Sequence, residues 1–395
     1  MKVCYLNYVG SPTTTAAASN IIGGLNTILF NLAYNVSLLP GNEVRVVYRD
    51  DGSLASGLLS EIKIRAGEPT VLSRSKLEEH LPDFINSAID YLLEFKPNLV
   101  HTSGSEAGLV MCVLRARGIK IPWVHTNYAT VSVRRSIIEG RTDKGITEDV
   151  IGKRERECLQ VCDHVIALSK SDQIETSNVF AIPLQKISVV SPGVDHSIFY
   201  PDQSIIREKI IVSAGRMSKV KDFPFLLRSF SILKKLGDID SKLIIIGGNS
   251  KERFLLGLPT LAEKLGVSDY VNFVDGVSQA ILATYFRRAI VFAAVSKHET
   301  FGLLPVEARA CGTPFVARAN SGYLSVANDG FGGYFCNNNS ERNMAEKILK
   351  IINLDQVNWF HLSQQAESST AEYNWLENAK KSSFIYTRVI KEAIF

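Results

Sequence analysis

Residues 298–317 read HETFGLLPVEARACGTPFVA and place two glutamates, Glu299 and Glu307, on either side of an apolar run. Burying a lone carboxylate is costly, so each acid is expected to have a partner. The preceding residues IVFAAVS are typical of a buried strand. A helix is expected to begin near Leu304, with Pro305 in its first turn. The stretch therefore predicts a strand, a loop and a helix that together carry two acids.

The start of this helix is predicted to bind an anion. Backbone amides from Phe301 to Leu304 have no acceptor within the helix, and a phosphate group is a natural occupant of such a terminus. Glu307 does not fit a capping box, because Leu304 stands where Ser or Thr is needed. Glu299 fits a simple favourable acid near a helix N-terminus. Both acids also suit a ligand rich in hydroxyls, because ionised carboxylates only accept hydrogen bonds.

Strand and helix patterns alternate along the whole chain, which predicts an α/β fold with parallel sheets. The strand-like segments of the first half are KVCYLNY, EVRVVYR, LVHTSG, WVHTN, HVIALS and KISVVSPG. Those of the second half are KIIVSAGR, KLIIIGG, VNFVDG, IVFAAVS, TPFVAR and GGYFC. A stretch with Pro and Gly near 192–205 separates the two sets, so two doubly wound domains are predicted. Ligands of such sheets bind beyond the carboxyl ends of the strands.

The composition is that of a globular protein with more than one domain. The chain has 395 residues, of which 46% are apolar and 21% charged. The net charge of +4 comes without a long basic run, so no nucleic-acid partner is expected. No apolar run reaches the roughly 18 residues that span a bilayer, and MKVCYLNYVG is expected to be a first strand rather than a signal peptide. The six cysteines form no CxxC pair, so we expect a cytoplasmic protein with reduced thiols and no metal site.

A second loop with candidate chemistry lies in VSAGRMSKVKDFPFLL, residues 212–227. The strand is expected to end at Gly215, after which Arg216 and Lys221 precede a helix. Arginine offers a planar fork for phosphate oxygens, and lysine offers a mobile point charge. These cations follow a strand of the domain that carries the two glutamates, so the same anion is their expected ligand.

The first half holds two weaker signals. Gly23 and Gly24 precede a helix, where glycine lets a ligand approach the backbone closely. His125, in WVHTNYA, is expected just after a strand, either as an ordinary loop residue or as part of the ligand site. Neither GxGxxG nor GxxxxGK[ST] occurs, which disfavours nicotinamide dehydrogenases and P-loop NTPases.

The order of these motifs resembles the retaining glycosyltransferases of family 4. The specific part of the resemblance is the double-glutamate segment ETFGLLPVEARACGTPFVA. The rest matches as an ordered set: GG before a helix, VHT, KRERECLQVCDHVIALS, the linker-like KISVVSPGVDHSIFYP, and the loop AGRMSKVKD. The chain departs from the family pattern twice. NSGYLSV stands where a Gly-Gly-x-x-Glu segment is common, and Asp222 stands where many members have glycine.

The resemblance implies a GT-B fold, in which two Rossmann-like doubly wound domains face each other across a cleft. The expected parts are an acceptor-side domain over 1–195, a nucleotide-sugar domain over 196–374, and a helix over 375–395 that crosses back to the first domain. The implied activity is hexosyl transfer from a nucleotide-diphosphate sugar, with a UDP-sugar favoured, to a hydroxyl group. The resemblance further implies retention of the anomeric configuration, with neither a cofactor nor a metal.

It also implies roles for individual residues. Arg216 and Lys221 would bind the diphosphate, Glu307 would hold the ribose hydroxyls, and Glu299 would position the donor sugar. His125 would lie near the transferred sugar, and it joins Arg216, Lys221 and Glu299 as the expected catalytic set. The expected donor-binding set also contains Gly23, Gly24, Val277, Phe301, Gly302, Leu303 and Leu304.

Other functions remain open at this stage. The same fold serves nucleotide-sugar epimerases and phosphorylases, although the sequence identifies no Schiff-base lysine for a pyridoxal-dependent phosphorylase. A non-catalytic subunit that binds nucleotide sugars is a further alternative, which the intact set of two cations and two glutamates disfavours. Acceptor contacts are expected from loops of the first domain, and neither the acceptor nor the oligomeric state follows from the sequence. Peripheral contact with a membrane is compatible with the sequence, although no strongly basic amphipathic helix indicates it.

Overall fold

The computed structural model describes residues 1–8, 24–53, 55–70, 72, 74–127, 133, 136–137, 150–238, 240–337 and 340–394. The chain forms two compact units. The first unit comprises Met1–Pro192 and Trp375–Phe395, and the second comprises Gly193–Asn374.

The first unit contains a seven-stranded sheet. Its strands are β1 (Lys2–Asn7), β2 (Glu43–Arg49), β3 (Ser60–Ile64), β4 (Leu99–Ser103), β5 (Trp123–Thr126), β6 (His164–Ala167) and β7 (Ile187–Val189). They pair in parallel in the order β3-β2-β1-β4-β5-β6-β7. Its helices up to the linker are α1 (Gly24–Ser37), α2 (Arg74–Phe95), α3 (Gly104–Ala116), α4 (Val150–Val161) and α5 (Lys170–Phe180), and a 3-10 turn spans Leu184–Lys186. The sequence does not predict β3.

The second unit contains a six-stranded parallel sheet. Its strands are β8 (Glu208–Ala214), β9 (Lys242–Ile246), β10 (Val271–Val274), β11 (Ala289–Ala294), β12 (Phe315–Arg318) and β13 (Gly333–Cys336). Their order is β10-β9-β8-β11-β12-β13. Its helices are α6 (Phe223–Lys235), α7 (Ser250–Leu255), α8 (Leu258–Lys264), α9 (Gln279–Arg288), α10 (Leu303–Ala310), α11 (Ser321–Leu324), α12 (Glu341–Ile352) and α13 (Gln356–Ser368), with 3-10 turns at Lys219–Lys221 and Ser268–Tyr270.

Burial explains why the strands read as nearly continuous apolar runs. All five residues of β4 are buried, as are the last four of β9 and of β11. Helices cover both faces of a parallel sheet, so neither face of a central strand needs polar residues. The apolar clusters of the two units each combine strand residues with the inner faces of the helices.

The C-terminal helix α14 (Trp375–Ile394) packs within the first unit. The hydroxyl of Tyr386 lies 2.9 Å from that of Tyr5 and 2.7 Å from Nδ1 of His101. Nε2 of His101 in turn lies 2.8 Å from Oγ1 of Thr126. Burial lowers the pKa of His101 to about 3, so the ring is neutral and its two nitrogens act as one donor and one acceptor. This buried chain joins α14 to strands β1, β4 and β5.

The order of the second sheet places three chemically relevant loops side by side. Strands β8, β11 and β12 are neighbours and run in parallel, so their carboxyl ends lie at one edge of the sheet. The direction of the strand order reverses between β8 and β11, which is where open α/β sheets bind ligands. The loops that carry Lys221, Glu299 and Tyr323 all begin at this edge.

Candidate functional site

Lys221 and Glu299 meet at the carboxyl edge of the second sheet. Nζ of Lys221 donates to Oε1 of Glu299, and their side chains are 16% and 20% exposed. Lys221 ends the 3-10 turn after β8, and Glu299 follows β11. The side chain of Lys221 crosses Gly215, where a Cβ would lie 3.2 Å from its Cε and where φ is 150°. The sequence therefore brings a cation and an acid together from two neighbouring strand ends.

The ion pair determines the charge state of Glu299. Burial alone would raise the pKa of this carboxyl. The charge of Lys221, its hydrogen bond, a hydrogen bond from Ser296 and the nearby His298 outweigh burial and leave the pKa below its ordinary value. Glu299 is therefore ionised at neutral pH and acts only as a hydrogen-bond acceptor.

Arg216 is the second cation of this edge. It lies directly after Gly215 and is exposed. Within the described residues it makes no hydrogen bond or ion pair, so its guanidinium is available to a ligand. Arg216 and Lys221 flank the same turn, and of these two cations only Lys221 is already paired with an acid.

Glu307 occupies a contrasting environment on α10. It is 6% exposed, and Nε2 of Gln279 donates to its Oε1 at 3.4 Å. Burial raises the pKa of Glu307 to about 7, and the Gln279 hydrogen bond opposes this only in part. Gln279 begins α9 directly after the loop that holds Val277, so this hydrogen bond links Glu307 to the loop after β10. Glu307 is thus a buried acid with spare acceptor capacity.

The start of α10 is shaped by two glycines. Gly302 has φ 102°, and a Cβ there would lie 2.8 Å from the ring of Tyr323. A Cβ on Gly322 would lie 2.2 Å from the carbonyl oxygen of Glu299. Leu303 and Leu304 then supply the first amides of α10, which lack acceptors within the helix. The close packing sets where these amides lie.

The segment after β12 holds this loop from the other side. Nδ2 of Asn320 donates to the carbonyl of Ser296 at 2.8 Å, and Oδ1 of Asn320 accepts from the amide of Tyr323 at 3.1 Å. Phe301 turns inward, is 3% exposed and packs edge to face on Tyr373. Its side chain anchors the loop, so only its backbone is available to a ligand.

His125 does not lie where the sequence suggests. It belongs to β5 itself, is fully buried, and its Nδ1 lies 2.7 Å from Oγ1 of Thr102. Trp123 donates from Nε1 to the same Thr102 oxygen at 2.7 Å. The strand continues to Thr126, and the alternation of side chains along it points His125 to the face that α3 covers, against Gly108. Burial lowers the pKa of His125 to about 3. The expectation of a histidine after the strand is therefore wrong, and His125 is a core residue of the first unit.

Of the two neighbouring glycines in the first half, Gly23 and Gly24, the structure describes only the second. Gly24 is the first residue of α1, whereas the sequence places it just before the helix. Gly23 lies outside the described residues.

The sequence did not predict two residues that support the site. Gln279, at the start of α9, contacts Glu307, and Tyr323, in α11, lies beside Gly302. The signal for Tyr323 lay in NSGYLSV, the segment that departs from the family pattern. No local pattern marks Gln279.

Among the residues that the structure describes, no group of three or more His, Cys, Asp or Glu is arranged to hold a metal ion. None of the described helices is long and apolar enough to cross a membrane.

Comparison with known proteins agrees with this architecture. Residues 200–368 match the family model of glycosyl transferases group 1, and residues 22–198 match that of glycosyltransferase family 4. D-inositol 3-phosphate glycosyltransferase of Thermobispora bispora is 25% identical over 395 residues, covering 93% of this chain and 90% of that protein. Its counterpart in Mycolicibacterium smegmatis is 26% identical over 415 residues, covering 99% and 92%.

Solved structures show the same fold over the whole chain. Sucrose-phosphate synthase of Thermosynechococcus elongatus aligns with a TM-score of 0.84 and 22% identity, covering 99% of both chains. HepE of Anabaena, solved in complex with UDP-glucose, aligns with a TM-score of 0.77 and 15% identity, covering 98% of this chain and 100% of that one. The fold is GT-B, with two Rossmann-like domains, and the protein is a glycosyltransferase. The chain belongs to glycosyltransferase family 4.

Proposed function

We propose that this enzyme transfers a sugar from a nucleotide-diphosphate sugar to a hydroxyl group with retention of the anomeric configuration. The observation that carries the proposal is the meeting of Lys221 with Glu299 beside the first turn of α10. Cations and unpaired amides there suit a diphosphate, and the ionised Glu299 beside them suits hydroxyls.

The donor would be held by the second unit. Arg216, Lys221 and the amides of Leu303 and Leu304 would contact the diphosphate. Glu307, buried and with spare acceptor capacity, would accept hydrogen bonds from the ribose hydroxyls. Val277 lies in the loop joined to Glu307 through α9, which suits the base.

Glu299 would position the donor sugar. Its low pKa keeps it ionised, so it accepts hydrogen bonds from sugar hydroxyls on the side away from Lys221. Gly302 and Phe301 would offer their backbone to the same sugar, because the side chain of Phe301 is turned inward.

The proposed reaction follows from these charges. The acceptor hydroxyl attacks the anomeric carbon on the face from which the diphosphate departs, and a phosphate oxygen takes the hydroxyl proton. Negative charge grows on the leaving diphosphate as its bond to the sugar breaks. Arg216, Lys221 and the helix amides would stabilise that charge, and one such donor contributes about 2.7–4 kcal/mol. The scheme gives a metal no step, so we propose catalysis without one.

The known relatives support a nucleotide-sugar donor. HepE was solved with UDP-glucose, which favours UDP among the nucleotides. The curated relatives are named for inositol 3-phosphate, which makes that compound the first acceptor to assay. All six cysteines are free and buried, which fits our proposal of a cytoplasmic location.

A binding screen followed by a product assay tests the proposal. The melting temperature is recorded with UDP, GDP and ADP and with their sugar conjugates, where a ligand at about 100 times its Kd stabilises by roughly 2.7 kcal/mol. The best donor is then incubated with inositol 3-phosphate and other hydroxyl acceptors. NMR of the product is expected to show the anomeric configuration of the donor. An inverted product would contradict retention, donor consumption without acceptor would indicate an epimerase, and binding without any turnover would indicate a non-catalytic subunit.

A further inference from the structure

Asp222, directly after Lys221, has a backbone conformation that glycine adopts more easily. Its φ is 48° and its ψ is 42°, in the left-handed region. Non-glycine residues rarely adopt this region, because their Cβ crowds the backbone. A strained residue persists where the surrounding structure holds it. A contact made by the side chain of Asp222 is therefore expected to hold this residue in its left-handed conformation.

That contact is an ion pair with Arg318. Nη1 of Arg318 donates to Oδ2 of Asp222 at 2.6 Å, and the two side chains are 7% and 12% exposed. The same guanidinium donates to the carbonyl of Val295 at 3.1 Å and lies 4.4 Å from the ring centre of Phe225. Both side chains are largely buried and the contact is short, so the geometry of the pair is well defined.

The carboxylate of Asp222 also faces Lys297, whose Nζ lies 3.9 Å from Oδ2. The amide of Lys297 donates to the carbonyl of Val220 at 2.8 Å. Arg318 ends β12, Lys297 follows β11, and Asp222 follows β8. One carboxylate therefore connects the ends of three neighbouring strands. These are the strands whose loops carry Lys221, Glu299 and Tyr323.

We propose that Asp222 is a positioning residue whose pairing with Arg318 fixes the ammonium of Lys221 for the diphosphate of the donor. The inference rests on the proposed function, because the diphosphate is the group that Lys221 meets. Lys221 and Asp222 are consecutive, so the backbone that aims one is held by the side chain of the other. Glycine at this position would relieve the backbone but release the turn from β12.

Two substitutions separate the contact from its charge. Asp222→Gly keeps the left-handed conformation and removes the acceptor for Arg318. Asp222→Asn removes the same charge but retains an oxygen acceptor, and asparagine tolerates the left-handed region. Any general effect of losing one negative charge near a phosphate is common to both variants. Arg318→Lys tests the pair from its other side, because lysine keeps the charge but loses the planar fork.

The measurement is calorimetric binding of two matched ligands to the full chain. The ligands are the nucleoside diphosphate that binds the wild type best, among UDP, GDP and ADP, and its nucleoside without phosphate. We expect Asp222→Gly to weaken diphosphate binding about tenfold, the scale of one charge-assisted contact, while nucleoside binding stays within about twofold. Asp222→Asn is expected to lose less than Asp222→Gly, and Arg318→Lys to show the same diphosphate-specific loss.

Distinct results would overturn the inference. Unchanged diphosphate affinity in Asp222→Gly would show that the pair does not position Lys221. An equal loss for nucleoside and diphosphate would show a general structural role instead. If Asp222→Gly does not fold, Asp222→Asn and Arg318→Lys decide in the same way. A wild type that binds none of the three diphosphates would refute the proposed function itself, whereas a binding wild type with an unaffected variant refutes only the positioning role.

Discussion

Lys221 donates to the carboxylate of Glu299 although 78 residues separate them in the chain. The opposite charges of Lys221 and Glu299 neutralise each other within this pair. A bound diphosphate would offer Lys221 a second acceptor and leave Glu299 free for sugar hydroxyls. The pair thus connects the phosphate and sugar parts of the proposed donor site.

Replacing Lys221 is expected to damage both parts. Lys221→Met keeps most of the aliphatic stem but removes the charge, so transfer should slow about 100-fold, the effect of losing one charge-stabilising donor. The pKa of Glu299 should rise, because the charge that opposes its burial is gone. Initial rates with the donor found by the screen, together with carboxyl-carbon NMR of Glu299, check this. Lys219→Met, on an exposed residue of the same turn, is the control. Equal rates in both variants would contradict the assignment of Lys221.

The difference in stability between Glu307→Gln and the wild type should depend on pH, because only the wild type has a titrating carboxyl at this position. Burial raises the pKa of Glu307 from 4.5 to about 7, so the folded protein holds this proton more tightly than the unfolded chain does. The free energy of unfolding of the wild type therefore falls as pH rises from about 4.5 to about 7. Glutamine cannot ionise, so the variant should gain about 2–3 kcal/mol relative to the wild type between pH 5 and pH 8.

Glu299→Gln is the control, because the ionisation of Glu299 changes the free energy of unfolding in the opposite sense. The folded pKa of Glu299 is lowered, so its ionised form contributes stability that is lost as pH falls through that pKa. Its difference from the wild type should therefore stay constant above about pH 5 and shrink only in stronger acid. Urea unfolding at several pH values measures both variants. Parallel curves for the two would contradict the contrast between these acids.

Gly302 should tolerate a methyl group poorly. Its φ is 102°, and a Cβ would lie 2.8 Å from the ring of Tyr323. Gly330 also has a positive φ, 83°, but nothing lies within 4 Å of a Cβ there. Gly302→Ala and Gly330→Ala therefore share backbone strain, about 1 kcal/mol, and only the former displaces Tyr323. The melting temperature and the diphosphate affinity should both fall further in Gly302→Ala than in Gly330→Ala. Equal decreases in the two variants would show that the Tyr323 contact is unimportant.

Removal of divalent ions should leave transfer intact. The proposed stabilisation of the leaving diphosphate comes from Arg216, Lys221 and the amides of α10. We expect the rate to be unchanged after treatment with EDTA and dialysis. Activity that is lost and then restored by Mg²⁺ or Mn²⁺ would contradict a metal-free mechanism.

Local patterns predicted most of the fold because burial shapes them directly. Apolar runs such as KLIIIGG and IVFAAVS are strands covered on both faces, and they form β9 and β11. Strand β3 was not predicted, because SEIKI, at the edge of its sheet, alternates charged and apolar residues over only five positions. Position along a strand was harder: WVHTN was predicted as a strand, but His125 was placed just after its end, whereas β5 continues to Thr126 and His125 is buried within it.

The candidate site was predictable where chemistry lies next to a strand end. Arg216, Lys221, Glu299 and Glu307 were found from their positions after strands or on the following helix. Contacts between distant segments were not predictable, because no local pattern encodes them. The hydrogen bond from Gln279 to Glu307 is one example, and the ion pair between Asp222 and Arg318 is another.

Proton release on nucleotide binding tests directly whether the ribose of the donor binds to Glu307. Burial raises the pKa of Glu307 to about 7, so a fraction of the free protein carries this proton at neutral pH. Ribose hydroxyls that donate to Glu307 would favour its ionised form, so binding should release that fraction of a proton. Calorimetry of the best nucleoside diphosphate, in two buffers that differ in ionisation enthalpy, measures this number. We expect one ligand to bind per chain, and we expect the proton release to disappear in Glu307→Gln. Absence of binding by any nucleoside diphosphate, or binding with the same proton count in Glu307→Gln, would contradict it.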